Sequence, residues 1–185
     1  METQTNYKRL ALALCLAAGI LYNSWPLGYL LDSRTAHTAL ASNLERAGHP
    51  YAWLFVLGDV LTGLCLIAAA IILYTKTWLS AGLLIFGLFT AISAIFTYSG
   101  AGHVTGLGLD ALTSTIAAIG LFISLISLVK NRVNVAVLAF WLASVISFVG
   151  YALLRPNQAY LPQDILLVIS GLALFVIGLN LRQLW

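Results

Sequence analysis

Asp59 stands in the stretch Pro50-Tyr-Ala-Trp-Leu-Phe-Val-Leu-Gly-Asp-Val-Leu-Thr-Gly63, which is apolar on both sides of the carboxylate. Pro50 suits the first turn of a helix, and nine residues further along such a helix is about 13 Å at 1.5 Å per residue. At that depth a carboxylate would lie inside the outer hydrocarbon layer of a bilayer, where a charge at the helix centre costs roughly 2.5 to 3.5 kcal/mol to insert. Such a residue faces the bundle interior or a wet cavity and acts as a binding group, a general base or a helix-to-helix tie. Thr62, one turn on, shares its face.

Asp110 and Asp164 recur in the same short context, aspartate, any residue, then leucine, at intervals close to one helical hairpin. Both fall in opening turns, after Gly108 and Pro162, where a negative charge offsets the helix dipole. Asp110, Thr113 and Ser114 sit at i, i+3 and i+4 and predict one polar face turned inward. His103 lies in Ser99-Gly-Ala-Gly-His-Val-Thr-Gly-Leu-Gly108, a glycine-rich loop able to fold over the mouth of a bundle. One imidazole with Asp59 and Asp110 has the composition of a facial metal site or of an acid–base pair. No H-x-x-x-H or H-E-x-x-H pair places two imidazoles on one helical face, so no resident metal or cofactor is expected.

The elements that must position these residues follow from composition. The chain of 185 residues is 61% hydrophobic and 8% charged, with mean hydropathy +0.97. Soluble domains carry about 25% charged residues, and disorder needs low hydrophobicity, so both are excluded. Runs of about 20 apolar residues cross a hydrocarbon core. They are read at 10–31, 52–74, 78–98, 107–129, 133–154 and 161–181, with an outer loop at 32–50. Continuous runs argue against the alternation of a β-barrel. The expected fold is an all-α integral membrane protein, one transmembrane domain of six antiparallel helices.

The first run follows Lys8 and Arg9 but reaches Asn23-Ser-Trp-Pro26 without a small-residue cleavage site, and so reads as an uncleaved span. Lys8, Arg9, Lys76, Lys130, Arg132 and Arg182 against Arg34, Arg46 and Arg155 place both termini in the cytoplasm by the positive-inside rule. This implies a multi-pass protein of the plasma or inner membrane. Trp78 and Trp185 would anchor the inner interface, Trp25 and Trp53 the outer. The net charge of +3 then means contact with anionic headgroups, and without a basic patch outside the membrane no nucleic-acid partner is expected. Cys15 and Cys65 fall within spans as small apolar residues.

In the outer loop, Thr38 reads as an N-cap, Leu40 and Leu44 share a face, and Gly48 with Pro50 stops a short helix lying on the membrane surface as a lid or spacer. Pro26 frees a carbonyl near Tyr22 that Asn23 and Ser24 can satisfy. Ser144, Ser147 and Tyr151 form a stripe toward the outer mouth, and Gly58, Gly63, Gly82 and Gly87 allow close helix approach.

At Gly48-His-Pro-Tyr-Ala-Trp-Leu-Phe-Val-Leu-Gly-Asp-Val-Leu-Thr-Gly63 the sequence resembles a bacterial and archaeal membrane family known as domain of unknown function 998. His103 and Ser114 also look like that family's histidine and serine around the start of the fourth span. The resemblance implies the helical fold over nearly the whole chain and no activity. The paired late histidines of the ceramidase and adiponectin-receptor-like hydrolases have no counterpart, because no histidine follows His103.

The expected site is a polar pocket opening outward, lined by Asp59, Thr62, Asp110, Thr113, Ser114 and Asp164 with His103 above. Three functions fit it. One is binding of a lipid headgroup or small amphiphile, with membrane lipids as partners. A second is an intramembrane hydrolase on a lipid-like substrate, with Asp59 or His103 as base. The third is an accessory subunit that packs against a membrane partner protein or a second copy of itself.

Overall fold

The computed structural model of the protein describes residues 2–31, 41–45, 48–99, 108–129, 132–155 and 158–181, and these are helical throughout apart from turns. In chain order the helices are α1 (Glu2–Tyr22), α2 (Pro26–Leu31), α3 (Ala52–Ile72), α4 (Thr77–Ser99), α5 (Leu109–Ser127), α6 (Arg132–Leu154) and α7 (Tyr160–Asn180), with a 3-10 segment at Ala41–Glu45 between α2 and α3. Five stretches are long and apolar enough to cross a membrane: Asn6–Leu31, Ala52–Ile72, Thr77–Tyr98, Arg132–Leu154 and Tyr160–Asn180. The expected fourth span, 107–129, corresponds to α5, Leu109–Ser127. The chain enters α5 through Gly108 in extended conformation (φ −55°, ψ 142°).

The long helices form a ring. α5 packs on α4, α4 on α3, α3 on α1, α1 on α7 and α7 on α6, while α6 meets α5 sparsely and leaves a seam. Between apolar helices in lipid no hydrophobic drive remains, and small residues supply the contact by letting backbones approach. A Cβ on Gly63 would collide with the Gly87 carbonyl oxygen, and one on Gly82 with the side chain of Ser124. Gly120 likewise faces the backbone of Phe86. These contacts lock α3, α4 and α5 into one slab over a buried apolar core that includes Leu66, Leu83, Phe86 and Leu121.

The first expected span is two helices. Proline has no N–H, and its ring clashes with the carbonyl four residues back. Accordingly α1 ends at Tyr22, and Asn23 and Ser24 turn back with N–H donations to the Ile20 and Leu21 carbonyls (3.2 and 3.0 Å). The Asn23 amide donates to the Gly19 carbonyl at 2.9 Å and occupies the notch that Gly171 leaves on α7. The break thus turns Ser24 and Trp25 inward.

Two further expectations change. The loop segment does not lie on the surface. Leu44 is buried in the space left by Gly28, against Phe55, and the Ala41 N–H donates to Gln163 Oε1 on α7 at 2.7 Å. Thr38 and Leu40 lie outside the described residues. Gly48 adopts φ +100°, a left-handed value that suits glycine, and so brings the chain from this segment into α3.

At the other end of the bundle Asn134 and Asn180 exchange amide hydrogen bonds. Asn180 Nδ2 donates to Asn134 Oδ1 at 2.9 Å and Asn134 Nδ2 to Asn180 Oδ1 at 3.2 Å, and Asn134 Nδ2 also donates to the Leu128 carbonyl. This ties α6 to α7 and to the end of α5. Cys15 and Cys65 are free thiols.

Candidate functional site

The ring encloses a cavity of about 440 Å³, within the range of roughly 300 to 1,000 Å³ usual for small-ligand sites. One end is polar. The 3-10 segment brings Glu45 over it, α3 supplies Asp59, α4 supplies Thr90, Ser93 and Thr97, and α5 supplies Ser114 and Thr115. Deeper in, Phe86, Leu121 and Trp141 line the cavity, and Phe148 and Leu166 extend the apolar lining along the α6 and α7 walls. Each helix presents a face at its own period: Thr90, Ser93 and Thr97 recur at i, i+3 and i+7, and Trp141, Val145, Phe148 and Val149 at i, i+4, i+7 and i+8.

The Glu45 and Asp59 carboxyls hydrogen-bond to each other. Two carboxyls can do so only while one holds a proton, so the pair carries at most one negative charge in that state. Burial pushes the Glu45 carboxyl up from 4.5 to about 7, against the lowering effect of its hydrogen bond to Asp59. Tyr22 lies within electrostatic reach of both carboxyls, and its ring meets Phe86 edge-on at 5.6 Å. No Lys, Arg or His stands among the described residues that line the cavity.

Two hydroxyl contacts shape the walls. The Ser93 and Ser114 Oγ atoms are 2.8 Å apart and hydrogen-bonded, joining α4 to α5. Trp141 Nε1 donates to Ser170 Oγ at 3.0 Å, and the Trp141 ring stacks on Phe122 at 6.4 Å. That stack is where α6 meets α5 beside the cavity. Further along the same two helices Ser114, Thr115 and Val149 line the cavity while also being exposed. The cavity therefore reaches the surface at the seam, flanked by exposed Leu112, Ile119 and Ile146. At the loop end it is roofed by the Ala41–Glu45 segment.

Of the residues singled out from the sequence, Asp59 and Ser114 line this cavity. Thr62 does not. It is fully buried between α3 and α1, donating to the Gly58 carbonyl at 2.9 Å with the Ala18 carbonyl at 3.5 Å. Thr113 is buried and donates back to the Leu109 carbonyl at 2.8 Å, so the expected common face with Ser114 is divided. Asp164 accepts from Tyr29 Oη at 3.1 Å and ties α7 to α2, away from the cavity lining. His103 lies outside the described residues, as does the Asp110 side chain. The Ser144, Ser147 and Tyr151 stripe does not line the cavity either. Ser144 donates to the Phe140 carbonyl at 2.8 Å, and Ser147 and Tyr151 are exposed. Among the described residues no group of three or more His, Cys, Asp and Glu side chains gathers as metal ligands would.

Glu45 carries no sequence signal, since it lies in a loop that reads as a lid or spacer, and the insertion of Leu44 beside Gly28 is what brings it to Asp59. The Thr90, Ser93, Thr97 stripe was legible at helical spacing in a span otherwise apolar. Trp25 reads as an interfacial anchor, yet it lines the cavity with its indole N–H buried and without a protein acceptor among the described residues. Compared with known proteins, the chain matches no family model, no curated protein and no solved structure.

Proposed function

We propose that this protein binds a small amphiphile, with the polar end at the Glu45–Asp59 end of the cavity and the tail passing between α5 and α6 into the bilayer. In this reading it is a six-span protein of the plasma or inner membrane with both termini cytoplasmic. Positive residues at Lys8, Arg9, Lys76, Lys130 and Arg132 support that orientation. The observation that carries the reading is a single cavity with carboxyls and hydroxyls from the 3-10 segment, α3, α4 and α5 and a largely apolar wall from α6 and α7, that reaches the surface between exposed apolar side chains. A soluble solute would need no such apolar exit.

Native mass spectrometry of the detergent-purified protein tests it. The wild-type protein is expected to retain a copurified amphiphile, and Ala118→Trp, which fills the lining with an indole, to lose it while melting as a folded protein. Equal occupancy in both, or none in either, would refute the reading.

A second reading, a hydrolase on a lipid-like substrate, draws on the Ser93–Ser114 hydroxyl pair in the same cavity as two carboxyls. It predicts that a fluorophosphonate probe labels wild-type protein and not Ser114→Ala.

A further inference from the structure

Given amphiphile binding, on which this inference rests, the chemistry of the cavity narrows the headgroup. The Glu45–Asp59 pair shares a proton and carries one negative charge once one carboxyl ionises; in hydrocarbon that charge is costly unless a positive group compensates it, and the described lining offers no Lys, Arg or His. Tyr22 and Trp25 line the same space, and aromatic rings attract cations by their quadrupole, most strongly where water is excluded. The Trp25 indole N–H is buried with no protein acceptor among the described residues, and a buried donor gains from an acceptor.

We propose that the cavity takes an ammonium-bearing headgroup, its cation held between the Glu45–Asp59 pair and the Tyr22 and Trp25 rings, with an acceptor oxygen of the same headgroup on the Trp25 N–H. The carboxyl pair supplies the charge, the rings a dry cationic surface, and the indole N–H selects a headgroup in which oxygen lies a few bonds from nitrogen. The seam passes the hydrocarbon tail. Neutral and anionic headgroups lack the attraction, and anionic ones are repelled by the pair.

The test uses the full-length protein in a non-ionic detergent and tracks quenching of its tryptophan fluorescence by ω-bromoundecylammonium, ω-bromoundecanol and ω-bromoundecanoate. These share one tail and differ in headgroup charge. Saturable quenching is expected about tenfold tighter for the ammonium than for the alcohol, as a desolvated cation–π contact implies, and weakest for the carboxylate. The double variant Glu45→Gln, Asp59→Asn is expected to bring the ammonium to the level of the alcohol while alcohol binding stays within about twofold. The wild-type ranking stands without any variant, so a double variant that fails to fold leaves the test decided by that ranking.

Equal midpoints for ammonium and alcohol would overturn the ammonium assignment and leave the amphiphile reading in place. Absence of saturable quenching by all three would overturn the amphiphile reading itself. Free ethanolamine serves as competitor. No displacement at concentrations that saturate the long-chain amine supports a lipid source, whereas displacement at comparable concentration overturns it in favour of a soluble amine of the same ammonium chemistry.

Discussion

Replacing Glu45 by glutamine should remove a pH dependence from the protein's stability. In the folded chain burial raises the Glu45 carboxyl from 4.5 to about 7, whereas in the unfolded chain it returns to the lower value. Between those values unfolding releases a proton, so stability is fully present below about pH 4.5, declines as pH rises, and levels off above about pH 7. At about 1.4 kcal/mol for each tenfold change in proton affinity the decline has a ceiling of about 3 kcal/mol. Glutamine keeps a hydrogen-bond donor toward Asp59 and cannot ionise. The variant should therefore match wild type near pH 4.5 and exceed it near pH 8. Thermal unfolding in detergent, monitored by tryptophan fluorescence from pH 4.5 to 8, measures both curves. A wild-type stability that rises over this range, or a variant that keeps the wild-type slope, would refute the account of the pair.

Three other outcomes arise from the packing. Gly171→Ala puts a methyl group where the Asn23 amide lies and should cost about 1 to 3 kcal/mol; adding Asn23→Ala should recover part of that loss in a thermal melt, and a fully additive pair would argue against the contact. Asn134→Ala and Asn180→Ala each break the amide exchange between α6 and α7. A double-mutant cycle should give a coupling near 0.6 kcal/mol, the average for interhelical polar pairs in membranes, and zero coupling would remove the tie. Trp141→Phe keeps an aromatic ring but deletes the bond to Ser170 and part of the buried indole volume, so it should cost about 1 to 3 kcal/mol, whereas Val149→Ala, on the exposed rim, should cost less than half as much.

The helices were legible because their apolar runs are as long as the elements themselves. Five of the six expected spans match observed helices to within two residues at each end: 52–74, 78–98, 107–129, 133–154 and 161–181. The break after Tyr22 was legible only in part. Pro26 signals it, but the notch at Gly171 that receives Asn23 comes from a helix far along the chain. Asp59 was visible as a carboxylate in an apolar run, whereas its partner Glu45 was not, since the pairing depends on how a loop folds back. Period alone assigned Thr113 and Ser114 to one inward face. An α-helix surrounded on several sides has more than one inward direction, and the two residues bond in different ones. Trp25 shows the same limit, because interfacial position and cavity lining use the same amphipathic ring.

Under the proposed amphiphile reading, the seam between α5 and α6 changes what concentration means for this molecule. A site entered from water competes for its ligand at the bulk level. One reached sideways draws on a two-dimensional reservoir in which each buried methylene already contributes about 0.8 kcal/mol to partitioning. Tail length would then govern how much ligand is present at the mouth, while headgroup chemistry governs which of those molecules stays. Modest contact affinity inside a cavity of about 440 Å³ is sufficient under that division, and exchange can be fast because the tail never has to leave the bilayer.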